Sequence, residues 1–159
     1  MFKVYLAGYI SGKKIKECIE WRKKVRQYYD HWKGKESYPI TWLDPLNGKH
    51  FGTITEDGLK SDIPNSALVH RDYKSVKIAD LIVANLNTFG DTRPLTGTIY
   101  ELAWAWIEHK SVIIITDELI YKEHPFIKAT ASIIVPTVEE MLEKKYINYF
   151  FKGTVSAEY

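Results

Sequence analysis

Apolar residues fall in five short, continuous runs separated by longer stretches with helical spacing. The first run, Lys3–Ala7 (KVYLA), ends at Gly8 and reads as a buried strand. In the stretch that follows, Ile15, Ile19, Val25, Tyr29 and Trp32 approximate one helical stripe with lysines and arginines between them, and Gly34 ends the helix. Tyr38–Leu43 (YPITWL) is a second strand, with Pro39 near its start or on an edge. The stretch Asp44–Asn65 is rich in Gly, Pro, Asp and Asn without sustained periodicity. It reads as a long surface loop of the kind that often serves as a binding loop or lid. Ser66–Ile78 is helical, Leu81–Leu86 (LIVANL) a third strand, Asn87–Leu95 a loop and Gly97–Glu108 a helix. Val112–Thr116 and Ser132–Val135 supply the fourth and fifth strands. Thr137-Val-Glu-Glu opens the last helix with a capping box, and residues 146–159 form an aromatic C-terminal tail.

Strands that alternate with helices, and that are apolar throughout, indicate a parallel sheet covered on both faces. Five of them predict an α/β, flavodoxin-like doubly wound sheet of order 2-1-3-4-5. In such a sheet the ligand lies beyond the carboxyl ends of the strands, at the switch point between strands 1 and 3. That rule gathers GYISG, the loop after LIVANL and the start of the GTIYELAWA helix around one crevice.

With 159 residues, 45% of them hydrophobic, the chain is of single-domain size, and disordered and collagen-like classes are excluded. Lys+Arg of 22 against Asp+Glu of 20 argues against a general polyanion binder. No run approaches the ~20 apolar residues of a membrane span, and the N-terminal run is too short for a signal peptide. The single cysteine, Cys18, excludes an intrachain disulfide and suggests a reducing cytoplasm. The five histidines show no metal-ligand spacing, and no cofactor is expected.

Among residues that can carry chemistry, Glu101 stands first. It follows Gly97-Thr98, and a carboxylate in the first turn of a helix is favoured in its ionised form by the macrodipole. At the mouth of a crevice such a group can attack an electrophilic sugar carbon, although acidic residues also occupy first turns for stability alone. Asp72, near the start of RDYKSVKIAD, either points into the crevice or caps the helix; Asp80, just before strand 3, reads better as a cap. Gly8, Tyr9, Ser11, Gly12, Lys13 and Lys14 join strand 1 to helix 1, where a hydroxyl and two lysines suit a phosphate as well as an ordinary turn. The spacing matches neither the dinucleotide fingerprint nor the P-loop. Tyr5 is core, or a hydroxyl partner for a carboxylate. Tyr9, Trp42, Phe51 and Phe89 can stack on a nucleobase, and Trp104 and Trp106 belong to the core or to a subunit interface.

Three blocks in order, KVYLAGYISG, RDYKSVKIADLIVANL and GTIYELAWAWIEHKSVIII, resemble the nucleoside 2-deoxyribosyltransferase family. The resemblance implies Glu101 as the nucleophile at C1′, Tyr5 holding that carboxylate, and Asp72 engaging the base or assisting its protonation. Asp91 is then the nearest equivalent of a further family carboxylate. The resemblance also implies homo-oligomers in which a neighbour completes each site. YKEHPFIKA lacks the asparagine that transferases place after strand 4, and Tyr159 only loosely matches a C-terminal aromatic. GYISGKK fits the G-x-I-x-G phosphate grip of the related deoxynucleoside 5′-monophosphate N-hydrolases, and PLTGTIYE echoes a phosphoribohydrolase signature one residue shorter. The expected activity is therefore N-glycosidic cleavage of a 2′-deoxynucleoside through a glutamyl-deoxyribosyl intermediate, with transfer to another nucleobase. Monophosphate hydrolysis and a non-catalytic nucleotide sensor are the alternatives. Small-molecule nucleosides, nucleotides and nucleobases are the implied partners; nucleic-acid polymers and membranes are not.

Overall fold

The computed structural model describes residues 1–10, 15–30, 40–47, 54–55, 58–59 and 63–151. The described elements run β1 (Phe2–Gly8), α1 (Ile15–Asp30), β2 (Ile40–Leu43), β3 (Ile54–Thr55), β4 (Gly58–Leu59), α2 (Asn65–Ile78), β5 (Leu81–Asn85) and α3 (Thr96–Ile107). They continue with β6 (Ser111–Ile115), α4 (Leu119–Lys122), α5 (Pro125–Thr130), β7 (Ile133–Val135), α6 (Val138–Glu143) and a 3₁₀ turn at Tyr146–Phe150.

The main sheet is parallel throughout, with order β2-β1-β5-β6-β7, which is the predicted 2-1-3-4-5. Successive strand residues face opposite sides, and here both sides are core. Val4, Leu6, Val83, Ile113 and Ile115 pack against Trp21, Val25 and Tyr29 of α1 and Met141 of α6. Tyr5, Ala7, Ile82, Ala84 and Ile114 pack against Val76 of α2, Leu102 of α3 and Ile127 of α5. Double-sided burial explains why the strands read as continuous apolar runs.

Three expectations are corrected. First, the stretch read as a loop over 44–65 contains a two-stranded antiparallel pair, Ile54↔Leu59 and Thr55↔Gly58, too short to register as a periodic pattern. Secondly, the buried stripe of α1 is Cys18, Trp21, Arg22, Val25 and Tyr29. A fully buried arginine lies within it, and a reading that treats every arginine as solvated misses this. Thirdly, the segment expected as a tail starts with a 3₁₀ turn that buries Ile147, and Phe151 meets the Phe2 ring edge-on at 5.1 Å. Gly34, Phe51 and Tyr159 lie outside the described residues. At α6 the Thr137 hydroxyl accepts from the Glu140 N–H at 3.1 Å, whereas the Glu140 carboxylate pairs with Lys144, so half of the capping box forms.

Ile113 sits fully buried on β6, between β5 and β7. Ile113→Ala should lower stability by about 2–5 kcal/mol. Urea unfolding with an unchanged denaturant slope would show it; a loss under 1 kcal/mol would mean that this layer is not close-packed.

Candidate active site

The face of β1 turned toward α3 carries Tyr5, which is 1% exposed. Its hydroxyl donates to Glu101 Oε1 at 2.6 Å, joining residues 96 positions apart in sequence. Glu101 is itself 7% exposed. Two expectations about it are corrected. α3 begins at Thr96, so Glu101 falls in the second turn, beyond the residues whose free N–H groups carry most of the dipole's effect. The carboxylate is also largely withdrawn from solvent rather than open at a crevice mouth. The Tyr5 hydroxyl meets one of its oxygens.

Asp72 of α2 belongs to the same cluster. It acts on the Tyr5 phenol electrostatically together with Glu101. Burial first, then the Glu101 and Asp72 carboxylates, push the Tyr5 phenol well above its ordinary value, so the hydroxyl remains a donor. Arg71 holds Asp72 Oδ1 through Nε at 3.1 Å and Nη2 at 2.9 Å. The same guanidinium donates to the Pro45 carbonyl at 2.8 Å and the Asn47 carbonyl at 3.2 Å. Arg71 thus ties Asp72 to the segment leaving β2. The sequence offered no signal for this role, because the partners lie more than twenty residues away.

A second group lies just beyond β1. Tyr9 is 8% exposed, and its hydroxyl reaches the Arg93 carbonyl at 3.5 Å. Burial and the nearby Asp91 carboxylate hold its pKa above the ordinary value. Asp91 pairs with Arg93 at 3.0 Å. The turn that delivers Asp91 has Phe89 and Gly90 at φ 53° and 79°, closed by the Asp91 N–H on the Thr88 carbonyl at 3.1 Å. Glu118 accepts from both the Thr88 N–H and hydroxyl, which holds Phe89 in a conformation disfavoured for a bulky side chain.

The remaining candidates separate by position. Thr98 is buried in the first turn of α3. A Cβ at Gly97 would meet nothing within 4 Å, so packing gives no reason for glycine there. Gly8 has a packing reason, since a Cβ would come within 2.9 Å of the Trp21 ring and 3.3 Å of the Arg22 guanidinium. Asp80 accepts from the Lys3 N–H at 2.9 Å and donates its own N–H to the Lys3 carbonyl, a structural role at the opposite end of the sheet. Trp42 pairs in register with Val4 and packs beside Tyr29, on the face away from Glu101, so it does not stack on a ligand there. Ser11, Gly12, Lys13 and Lys14 lie outside the described residues. Two clefts, of about 780 and 660 Å³, lie elsewhere, and neither is lined by Glu101, Asp72 or Tyr5. Phe89 borders the first, near Trp21 and α6 rather than near Glu101.

No protein-family model matches the sequence, and no curated protein does. Solved structures do. A CMP N-glycosidase, BcmB, from Clostridium botulinum aligns over 92% of this chain and 98% of its own, at 17% identity and a TM-score of 0.56. The chain shares the fold of that glycosidase. A 2-desoxiribosyltransferase from Leishmania mexicana aligns over 74% of this chain at 17% identity and a TM-score of 0.48, and the match takes in 66% of that protein, just under two thirds of its length. A superposition that loose carries no fold argument. Among the described residues no helix is long and apolar enough to cross a membrane.

The Tyr5 phenol predicts a pH dependence. Unfolded, it ionises near pH ~10; above that pH the unfolded chain has released a proton that the folded chain keeps, so stability falls as pH rises. Chemical unfolding between pH ~9 and ~11 should show a steeper decline for the wild type than for Tyr5→Phe, by up to ~1.4 kcal/mol per pH unit. Equal slopes would contradict a buried, protonated Tyr5.

Proposed function

We propose that this chain cleaves the N-glycosidic bond of a 2′-deoxynucleoside and transfers the deoxyribosyl group to a second nucleobase. The observation that carries the reading is the 2.6 Å hydrogen bond between Tyr5 and the nearly buried Glu101. Asp44 and Glu101 are the buried carboxylates among the described residues, and they differ. Asp44 is neutralised by Arg22 and Arg26, and it caps the Leu46 N–H. Glu101 is held by a neutral phenol, in a cluster with a further carboxylate. A poorly hydrated, oriented carboxylate is a stronger nucleophile than a solvated one.

In the proposed sequence the Glu101 carboxylate attacks C1′, the C1′–N bond breaks, and its electron pair leaves with the base, which takes up a proton through Asp72. A nitrogen of the second base then attacks C1′ of the glutamyl ester and gives its proton back through Asp72. Two inversions retain configuration. Transfer requires that the second base, rather than water, reach C1′ of the ester.

A specific observation favours a second reading. Arg93 is a half-exposed cation beside Tyr9, and the first turn of α3, with Leu95 as N-cap, receives no side-chain cap. Both suit a 5′-phosphate and hence hydrolysis of a deoxynucleoside 5′-monophosphate, in line with the likeness to a CMP N-glycosidase. In both readings Asp91, Gly97, Thr98 and the 8–13 segment are the proposed substrate contacts. The enzyme would work in a reducing cytoplasm.

We also take the active form to be a homo-oligomer. α3 also bears an exposed apolar face of Ile99, Trp106 and Ile107 that runs on to Phe126 of α5. A second copy covering that face would lie against the helix that carries the nucleophile.

Incubation with deoxyinosine and adenine should yield deoxyadenosine, and Glu101→Ala should lower the rate by roughly 10³-fold or more while remaining folded. Product from deoxynucleoside monophosphates in water alone would select hydrolysis. Nucleotide binding without any product would select a sensor, and an active Glu101→Ala would remove the nucleophile. Sedimentation of Trp106→Glu/Phe126→Glu should give monomer where the wild type gives an oligomer; a monomeric wild type would remove the shared-site reading.

A further inference from the structure

β1 outruns its neighbour. Its pairing with β2 ends at Tyr5↔Leu43, whereas β1 continues through Gly8. Carbonyls alternate along a strand, and the odd-numbered ones of β1 point toward β5, as the Asp80 N–H on the Lys3 carbonyl shows. The Leu6 and Gly8 carbonyls therefore face the side that β2 has vacated. Arg22 fills that place. Its Nε donates to the Leu6 carbonyl at 3.3 Å and its Nη2 to the Gly8 carbonyl at 3.1 Å, while Nη1 donates to the Cys18 carbonyl at 2.5 Å. The guanidinium is fully buried, and Asp44, the residue after β2, lies 3.6 Å from Nε. Asp44 is shared with Arg26 at 3.5 Å, so the group of three keeps one net positive charge. On the other side of β1 stand Tyr5 and Glu101.

We infer that Arg22 is a positioning residue for the chemistry at Glu101: it replaces the missing strand beside the carboxyl end of β1, and its buried charge, acting across that strand, holds Glu101 as the anion. The inference rests on the proposed nucleophilic role of Glu101. The charged and titratable groups involved are Tyr5 on β1, Asp72 on α2, Cys18 on α1, and Asp44 with Arg26 behind Arg22. The geometric link is β1 itself: Arg22 is bonded to its Leu6 and Gly8 carbonyls, and Glu101 to its Tyr5 hydroxyl. In keeping with this, burial lowers the pKa of Arg22, and Asp44 first and Glu101 next oppose that shift. The other buried carboxylate of the described residues is already committed to Arg22 and Arg26, so removing it should strengthen the field at Glu101.

The test is a substrate-free titration of the Glu101 carboxyl by ¹³C NMR of glutamate-labelled protein, with Glu101→Gln assigning the signal. In Arg22→Met the midpoint should rise by about one pH unit or more; in Arg22→Lys it should stay within a few tenths; in Asp44→Asn it should fall. A purely structural Arg22 would leave the midpoint unmoved in all three, and that result overturns the inference. If Arg22→Met fails to fold, Asp44→Asn decides: a lower midpoint supports the inference and an unchanged one overturns it. Because no substrate is present, the outcome is independent of whether the wild type turns over nucleosides. If it does, the acid limb of its kcat–pH profile should move with the NMR midpoint in each variant.

Discussion

Taking a carboxylate out of water is costly unless something replaces the lost hydration. At Glu101 the Tyr5 hydroxyl at 2.6 Å supplies part of that replacement, and the charge inferred to act from Arg22 across the strand would supply more. The cost of this arrangement is spread over the fold. Tyr5 must sit at a fixed height on β1, α3 must bring its second turn over the sheet, and α1 must bury a guanidinium on the opposite face. Each of these features would be an odd choice alone. Together they describe one charged core site inside an otherwise apolar sheet.

The sheet supplies the rigidity. β1 and β5 form the centre of the topological switch, with α1 leaving on one face and α2 and α3 packing on the other. Side chains on consecutive β1 residues therefore reach different compartments: Val4 and Leu6 face the layer of α1, and Tyr5 and Ala7 face the layer of α3. Arg22 exploits the backbone rather than the side chains of this strand, because the Leu6 and Gly8 carbonyls lie in the plane of the sheet and are left open where β2 stops. Gly8 has no room for a Cβ, because the Trp21 ring, the Asn85 carbonyl and the Arg22 guanidinium close in on it.

Much of this was legible in the sequence. The five strands declared themselves because burial on both faces makes a run uniformly apolar, and their alternation with helices fixed the parallel order. The association of Tyr5, Asp72 and Glu101 followed from the family resemblance, since nothing local links residues 5, 72 and 101. What stayed hidden is physical in origin. The short helices α4 and α5 and the β3–β4 pair are briefer than the window in which periodicity can speak. Glu101 is the sixth residue of α3, counted from Thr96, and so lies beyond the first turn, where the dipole argument applies. Arg22 and Arg71 were invisible because an arginine is assigned to solvent by default, and only tertiary contacts reveal that one is buried and that the other, beside Asp72, reaches the Pro45 and Asn47 carbonyls. Trp42 was credited to the ligand side because the face of an edge strand depends on register, and the pairing with Val4 turns it toward α1.

The account stands or falls on whether Glu101 forms a bond to the sugar. Rapid acid quenching during turnover of a deoxynucleoside or its monophosphate, followed by peptide mass spectrometry, reads this directly. The account predicts a mass increase of one deoxyribosyl group, or its phosphate, confined to the peptide that bears Glu101. Product formation with that peptide unmodified throughout, or with the adduct on another residue, would contradict it.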